Sequence, residues 1–182
     1  MSVRMDAASR TDPPLQADEA TTLRAFLDYH RDTLRWKVDG LTQEQLAATT
    51  ASSTMTLAGL LKHLALVESN WFEVVLAGEK LMPPFATVDW KEDPDWEWRT
   101  ATDDTPEELM ALFDDAVARA DRAIDAALAR PTGIETPSAR TTRSGDQHFS
   151  LRWILLHMIE EYARHNGHAD LLRESIDGQT GE

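Results

Sequence analysis

Glu161 and His165 stand four residues apart, with His157 and His168 on either side of them in the stretch from Trp153 to His168. Each residue of an α-helix advances about 100° around the axis, so these four side chains fall within a wedge of roughly 80°. Three imidazoles and a carboxylate then form one stripe on one helix. Turned into a protein, such a stripe either holds a metal ion or fills a core with polar groups at a high desolvation cost. A second helix offers a partner: His63 shares a helical face with Leu60, Val67, Trp71 and Val74 and so points inward. Glu161 and His165, with Cβ atoms roughly 6 Å apart, can reach one ion together. His63 completes a set of two imidazoles and one carboxylate. That set binds zinc with a fourth position left open, and it also suits non-haem iron.

The elements that must carry these residues are helical. Leu23, Phe26, Leu27, His30, Leu34, Val38 and Leu41 recur at helical spacing, interrupted at Gly40. Thr42-Gln-Glu-Gln45 has the form of a capping box and opens a short helix to Ala48. A second long helix starts near Thr56 and ends near Gly78. Thr105-Pro-Glu-Glu108 combines an N-cap threonine, a proline at N1 and a glutamate at N3, and the helix it starts runs to Arg130, where Pro131 stops it. Ser150 caps the last helix, which bears the stripe and runs to about Ser175. Residues 80–104 read as a long ordered crossover loop and 131–149 as a polar loop, with no strand pattern. The expectation is an all-α four-helix bundle with the long crossover between helices 2 and 3. Residues 19–176 form the bundle, 1–18 a flexible N-terminal tail and 177–182 a C-terminal tail.

The composition bounds what the bundle does. A chain of 182 residues, 42% of them hydrophobic, suits one domain with one core. A formal net charge of −14 argues against phosphate-driven nucleic-acid binding and against anionic membrane surfaces. No apolar run approaches the ~20 residues of a membrane span, and the N-terminal residues lack the apolar stretch of a secretory signal, so a cytoplasmic protein is expected. The absence of cysteine excludes disulfides, thiolate ligands and a cysteine nucleophile. Any thiol chemistry must use a small-molecule thiol.

The segments Thr56-Leu-Ala-Gly-Leu-Leu-Lys-His63-Leu-Ala, with Glu68 and Trp71, and Glu161-Tyr-Ala-Arg-His165-Asn-Gly-His-Ala-Asp-Leu-Leu-Arg173 resemble the DinB-like superfamily of metal-binding four-helix bundles, from about residue 20 to 175. Within it the chain looks closest to an actinobacterial branch related to mycothiol-dependent maleylpyruvate isomerases, which share the Glu-x-x-x-His pair where many relatives carry histidine. The resemblance implies metal ligands at His63, Glu161 and His165, a divalent ion (usually zinc or nickel) and transfer chemistry on low-molecular-weight thiols, with mycothiol as co-substrate in an actinobacterial host.

The remaining polar residues have competing roles. Glu161 could instead form a surface ion pair with Arg164 or Lys62. His157, Glu160 and His168 are the candidates for a catalytic acid or base, against roles as core, groove or bundle-end residues. His30 reads as a hydrogen-bonded buried histidine. Trp90, Trp96 and Trp98 either line a substrate pocket or cover the crossover, and packing is the favoured role. Arg140, Arg143 and His148 either recognise an anionic group or belong to a solvated loop. The acidic run from Asp89 to Glu97 reads as a solubilising surface. Three functions follow: a metal-dependent thiol S-transferase or isomerase acting on an electrophilic substrate, a non-catalytic metal-binding or scaffold protein, and iron-dependent oxygen chemistry. A homodimer through exposed helix faces is expected.

Overall fold

The computed structural model describes residues 10–50 and 53–180, and the chain is mostly helical. Among the described residues six α-helices occur in the order α1 (Glu19–Val38), α2 (Gln43–Leu46), α3 (Leu57–Glu68), α4 (Trp96–Thr100), α5 (Pro106–Leu128) and α6 (Leu151–Asp177). Their starts follow the expected chemistry. Thr42 and Thr105 each close a full capping box, and Ser150 accepts the backbone N–H of Trp153. Gly40 and Gly178 follow the ends of α1 and α6 with positive φ, a conformation that glycine adopts without a Cβ clash.

The second long helix departs from its expected geometry. From Ser69 to Leu76 it continues as a π-helix, running on from α3 to Gly78. Ser69 pins this segment, accepting the backbone N–H of Met82 at 2.9 Å and donating to Glu73 at 2.6 Å. The expected crossover loop carries short helices of its own: a 3-10 turn at Phe85–Thr87, then α4, extended by a second 3-10 turn at Ala101–Asp103. Its backbone groups are thereby satisfied in part within the segment.

The polar loop after α5 is a correction. Pro137–Thr141 (β1) and His148–Ser150 (β2) pair antiparallel, with Pro137 opposite Ser150. Ser138 is the buried residue of β1, so the pair carries no run of alternating apolar residues that a sequence could reveal. Ser138 Oγ instead accepts the N–H of Phe149 and donates to the Arg140 carbonyl.

Helix α1 packs on α6, α3 and its π continuation pack on α5, and α3 also meets α6 and α4. Leu27, Leu60, Leu64, Phe72, Phe113 and Met158 are among the fully enclosed core residues. Within this core Arg31 and Glu68, 1% and 0% exposed, form a two-pronged ion pair with both contacts at 2.7 Å. Tyr162 donates to Glu68 at 2.7 Å, and Arg31 also reaches Asp28 and Asp121.

The expected N-terminal tail lies in large part outside the described residues. Within 10–18, Arg10 docks on α1, donating to Thr33 at 2.9 Å with its guanidinium over the Tyr29 and Trp36 rings, and Asp18 caps α1. Of the expected C-terminal tail, residues 181–182 lie outside the description. Among the described residues no helix is long and apolar enough to cross a membrane.

Candidate metal centre

His63 on α3 meets Glu161 and His165 on α6, and one ligand atom from each lies within 4.8 Å of the others. Both imidazoles turn Nε2 toward the same oxygen, Glu161 Oε1, at 3.6 Å from His63 and 3.3 Å from His165. Charge-assisted hydrogen bonds are shorter, at about 2.7–2.9 Å. Ligands on one tetrahedral ion at bond lengths of about 2.0–2.1 Å stand about 3.3 Å apart. The spacing leaves room for one ion shared by the three groups. His63 and Glu161 are about one-fifth exposed (20% and 21%), while His165 is buried.

The alternative ion pairs for Glu161 are otherwise engaged. Arg164 pairs with Glu160 at 2.8 Å, and Lys62 binds Asp104 and Thr100. Burial pushes the His63 imidazole down, but Glu161 and Glu97 outweigh it, and its pKa stands above the ordinary 6.5. His165 and then His63, against the opposing effect of burial, hold the Glu161 carboxyl well below the usual carboxylate range.

Residues of the crossover complete the surroundings. Glu97, 4% exposed and so no part of a solubilising surface, approaches His63 Nδ1 at 3.1 Å. Trp98 stacks on the His63 ring at 4.6 Å between centroids. Neither role was legible in the sequence, where both residues sit in an acidic, tryptophan-rich run without periodicity. Trp98 fits because α3 has a glycine beneath it: a Cβ on Gly59 would stand 2.6 Å from Trp98 Cε3. Gly59→Ala should therefore drive Trp98 off His63. Alanine raises helix propensity by roughly 1 kcal/mol while overpacking costs about 1–3 kcal/mol, so stability should fall by no more than about 2 kcal/mol while zinc binds more weakly. A zinc titration that matches the wild type would remove Trp98 from the support of His63.

The other candidates lie elsewhere. His157 packs between Trp71 and Trp153, with ring centroids at 4.6 and 5.2 Å. Glu160 is exposed beside Arg164. The His168 ring lies 5.5 Å from that of His165, and its buried Nδ1 has no partner among the described residues. His30 receives Asn166 Nδ2 on its carbonyl at 3.0 Å, and burial pushes its imidazole down. Arg140, Arg143 and His148 belong to the hairpin segment, where His148 Nδ1 approaches the Ser138 carbonyl at 2.6 Å.

A cavity of about 530 Å³ adjoins Trp98, lined also by Ser53, Thr54, Met55, Asp95 and Arg99. Another, of about 420 Å³, lies between the π segment and α5 around Arg119 and Arg122 and touches none of the trio. The first is not lined by the trio either, but it includes Trp98, which stacks on His63. A family model described as mycothiol-S-transferase matches residues 22–178. No curated protein matches the sequence.

Proposed function

From its membership in the mycothiol-S-transferase family, within the DinB-like superfamily, to which this chain belongs, we propose that the protein transfers the sulfur of a small thiol, mycothiol, to an electrophilic carbon at a divalent metal held by His63, Glu161 and His165. The observation that carries this reading is the convergence of two Nε2 atoms on one carboxylate oxygen at tetrahedral-edge distances. A divalent cation, zinc or nickel, held by these three residues would supply Lewis acidity that keeps a coordinated thiol deprotonated at neutral pH.

The protein's own groups do the rest. Helix α3 with its π continuation, α1, α5 and α6 serve as a four-helix bundle that fixes the two halves of the site against each other. Trp98 screens one face of His63 from water, and the cavity beside it receives the non-reacting part of the thiol or its acceptor. The thiol proton leaves, the sulfur bonds to carbon, and the leaving group departs with its electron pair. Of His157, Glu160 and His168, His168 has the ring contact with the trio that suits a proton acceptor acting nearby. A closed structural site takes four protein ligands. This group has three among the described residues, which favours the catalytic reading over a scaffold. A cytoplasmic homodimer, with the exposed Trp153 and Leu156 at its contact, is part of the same reading.

The test is consumption of mycothiol with a bromobimane electrophile by zinc-loaded protein. Turnover should require both metal and mycothiol and should be lost in His63→Ala. Turnover that persists in that variant would overturn the scheme.

Metal uptake should also be linked to pH. In the metal-free protein both carboxylates favour protonated His63, so its stabilising contribution is complete below about pH 6.5 and is lost as pH rises through the raised pKa. Zinc binding within that interval must expel the proton. Calorimetry in buffers of different ionisation enthalpy should show the release; a heat independent of the buffer would count against the imidazole as a ligand.

A further inference from the structure

Glu97 is a buried carboxylate with an unusual set of neighbours. Its Oε1 lies 3.1 Å from His63 Nδ1, and its Oε2 is enclosed without a hydrogen-bond partner among the described residues. A carboxylate so far from water is costly unless it is paired. Two cations close by in sequence or space leave it alone: Arg99 pairs with Asp93, and Lys62 with Asp104 and Thr100. Glu97 is therefore committed to His63.

We infer that Glu97 is a positioning residue for the metal centre: its carboxylate accepts the Nδ1–H of His63 and thereby fixes the tautomer whose Nε2 lone pair faces Glu161 and the ion. This rests on the metal reading above and extends it to the crossover. An imidazole can carry its neutral proton on either nitrogen, and the partner of one nitrogen decides the state of the other. Helix α4 is docked firmly enough to enforce the choice. Lys62, the neighbour of His63 on α3, reaches across to Thr100 at 2.9 Å and lies over the Trp96 ring at 4.4 Å. Trp98, next to Glu97, closes one face of the same imidazole against Gly59. Orientation, tautomer and solvent access of one ligand are thus set by two consecutive residues of α4. The second imidazole has no such support, since the buried Nδ1 of His165 has no partner among the described residues.

The experiment compares wild type, Glu97→Ala and Glu97→Gln in two ways. Zinc affinity is read by competition with a chromophoric chelator, and the His63 tautomer by ¹⁵N NMR of the metal-free protein at a pH above its raised pKa. Wild type should show Nδ1–H at His63. Glu97→Ala should lose that signature and bind zinc about 10–100-fold more weakly, with Glu97→Gln between the two. The near-isosteric glutamine carries the same decision should the alanine variant fail to fold. A His63 found as Nε2–H in wild type, or variants whose zinc affinity and tautomer both match wild type, would overturn the inference. A role confined to packing would lower the melting temperature and leave the tautomer in place, which also overturns it. Wild type that takes up no zinc defeats the metal reading, whereas the tautomer in metal-free protein still judges Glu97 by itself.

Discussion

Replacing His63 with alanine should abolish the thermal stabilisation of this protein by zinc. A ligand that binds only the folded state at about 1,000 times its Kd stabilises it by about 4 kcal/mol. In a chain of this length each kcal/mol moves Tm by about 2–4 °C, so saturating zinc should raise the wild-type Tm by about 8–16 °C. On the proposed reading His63 joins α3 to α6 through the ion; without it, Glu161 and His165 would remain as an i,i+4 pair on one helix, with no cross-link between elements. The zinc-dependent shift should then vanish, and the metal-free Tm should fall as well, because the buried Glu97 carboxylate loses the imidazole it pairs with. Differential scanning fluorimetry with zinc and with chelator measures both. An undiminished zinc shift in the variant would show that the ion binds elsewhere or that the trio does not hold it.

The second large effect lies on the same helix as His63, five residues further along. Glu68→Ala should destabilise the protein by about 3–5 kcal/mol, because it leaves the Arg31 guanidinium buried without its carboxylate. Burial opposes the charge on Arg31, yet Glu68 reverses that and raises its pKa well above the ordinary value. Burial first, and then the Glu68 charge, raise the Tyr162 phenol in the same way. Arg31 and Tyr162 should therefore keep their protons across the neutral range. The network joins α1, α3 and α6 and touches Asp121 on α5, so it sets the register of α3 against α6 from which His63 and Glu161 meet. Zinc affinity should fall together with stability. Replacing the whole set by Arg31→Met, Glu68→Leu and Tyr162→Phe removes the stranded charge and should recover much of the stability. Urea unfolding of the single and triple variants decides; a single variant within about 1 kcal/mol of wild type would contradict the assignment of this pair as a buried, mutually dependent unit.

The trio and its helices were legible for a local reason. Glu161 and His165 are neighbours by helical periodicity alone, and the amphipathic face shared by Leu60 and His63 turns that imidazole inward. The caps at Thr42, Thr105 and Ser150 are likewise decided within four residues. His157 shows where periodicity stops. It belongs to the same stripe, but a stripe extends along the axis at about 1.5 Å per residue whereas an ion is a point, and the turn carrying His157 faces Trp71 instead.

Family, helical character and the pairing of Glu161 with His165 are thus contained in the order of the residues, whereas the meeting of that pair with His63 also needs the packing of α3 on α6. The dedication of Glu97 to His63, the seat of Trp98 on Gly59, the burial of Arg31 against Glu68 and the pairing of β1 with β2 came only with the tertiary structure. Each joins residues whose separation in sequence says nothing of their distance. Their meeting depends on the path of the crossover and on how the helices pack, and long-range packing leaves no period in the sequence to read.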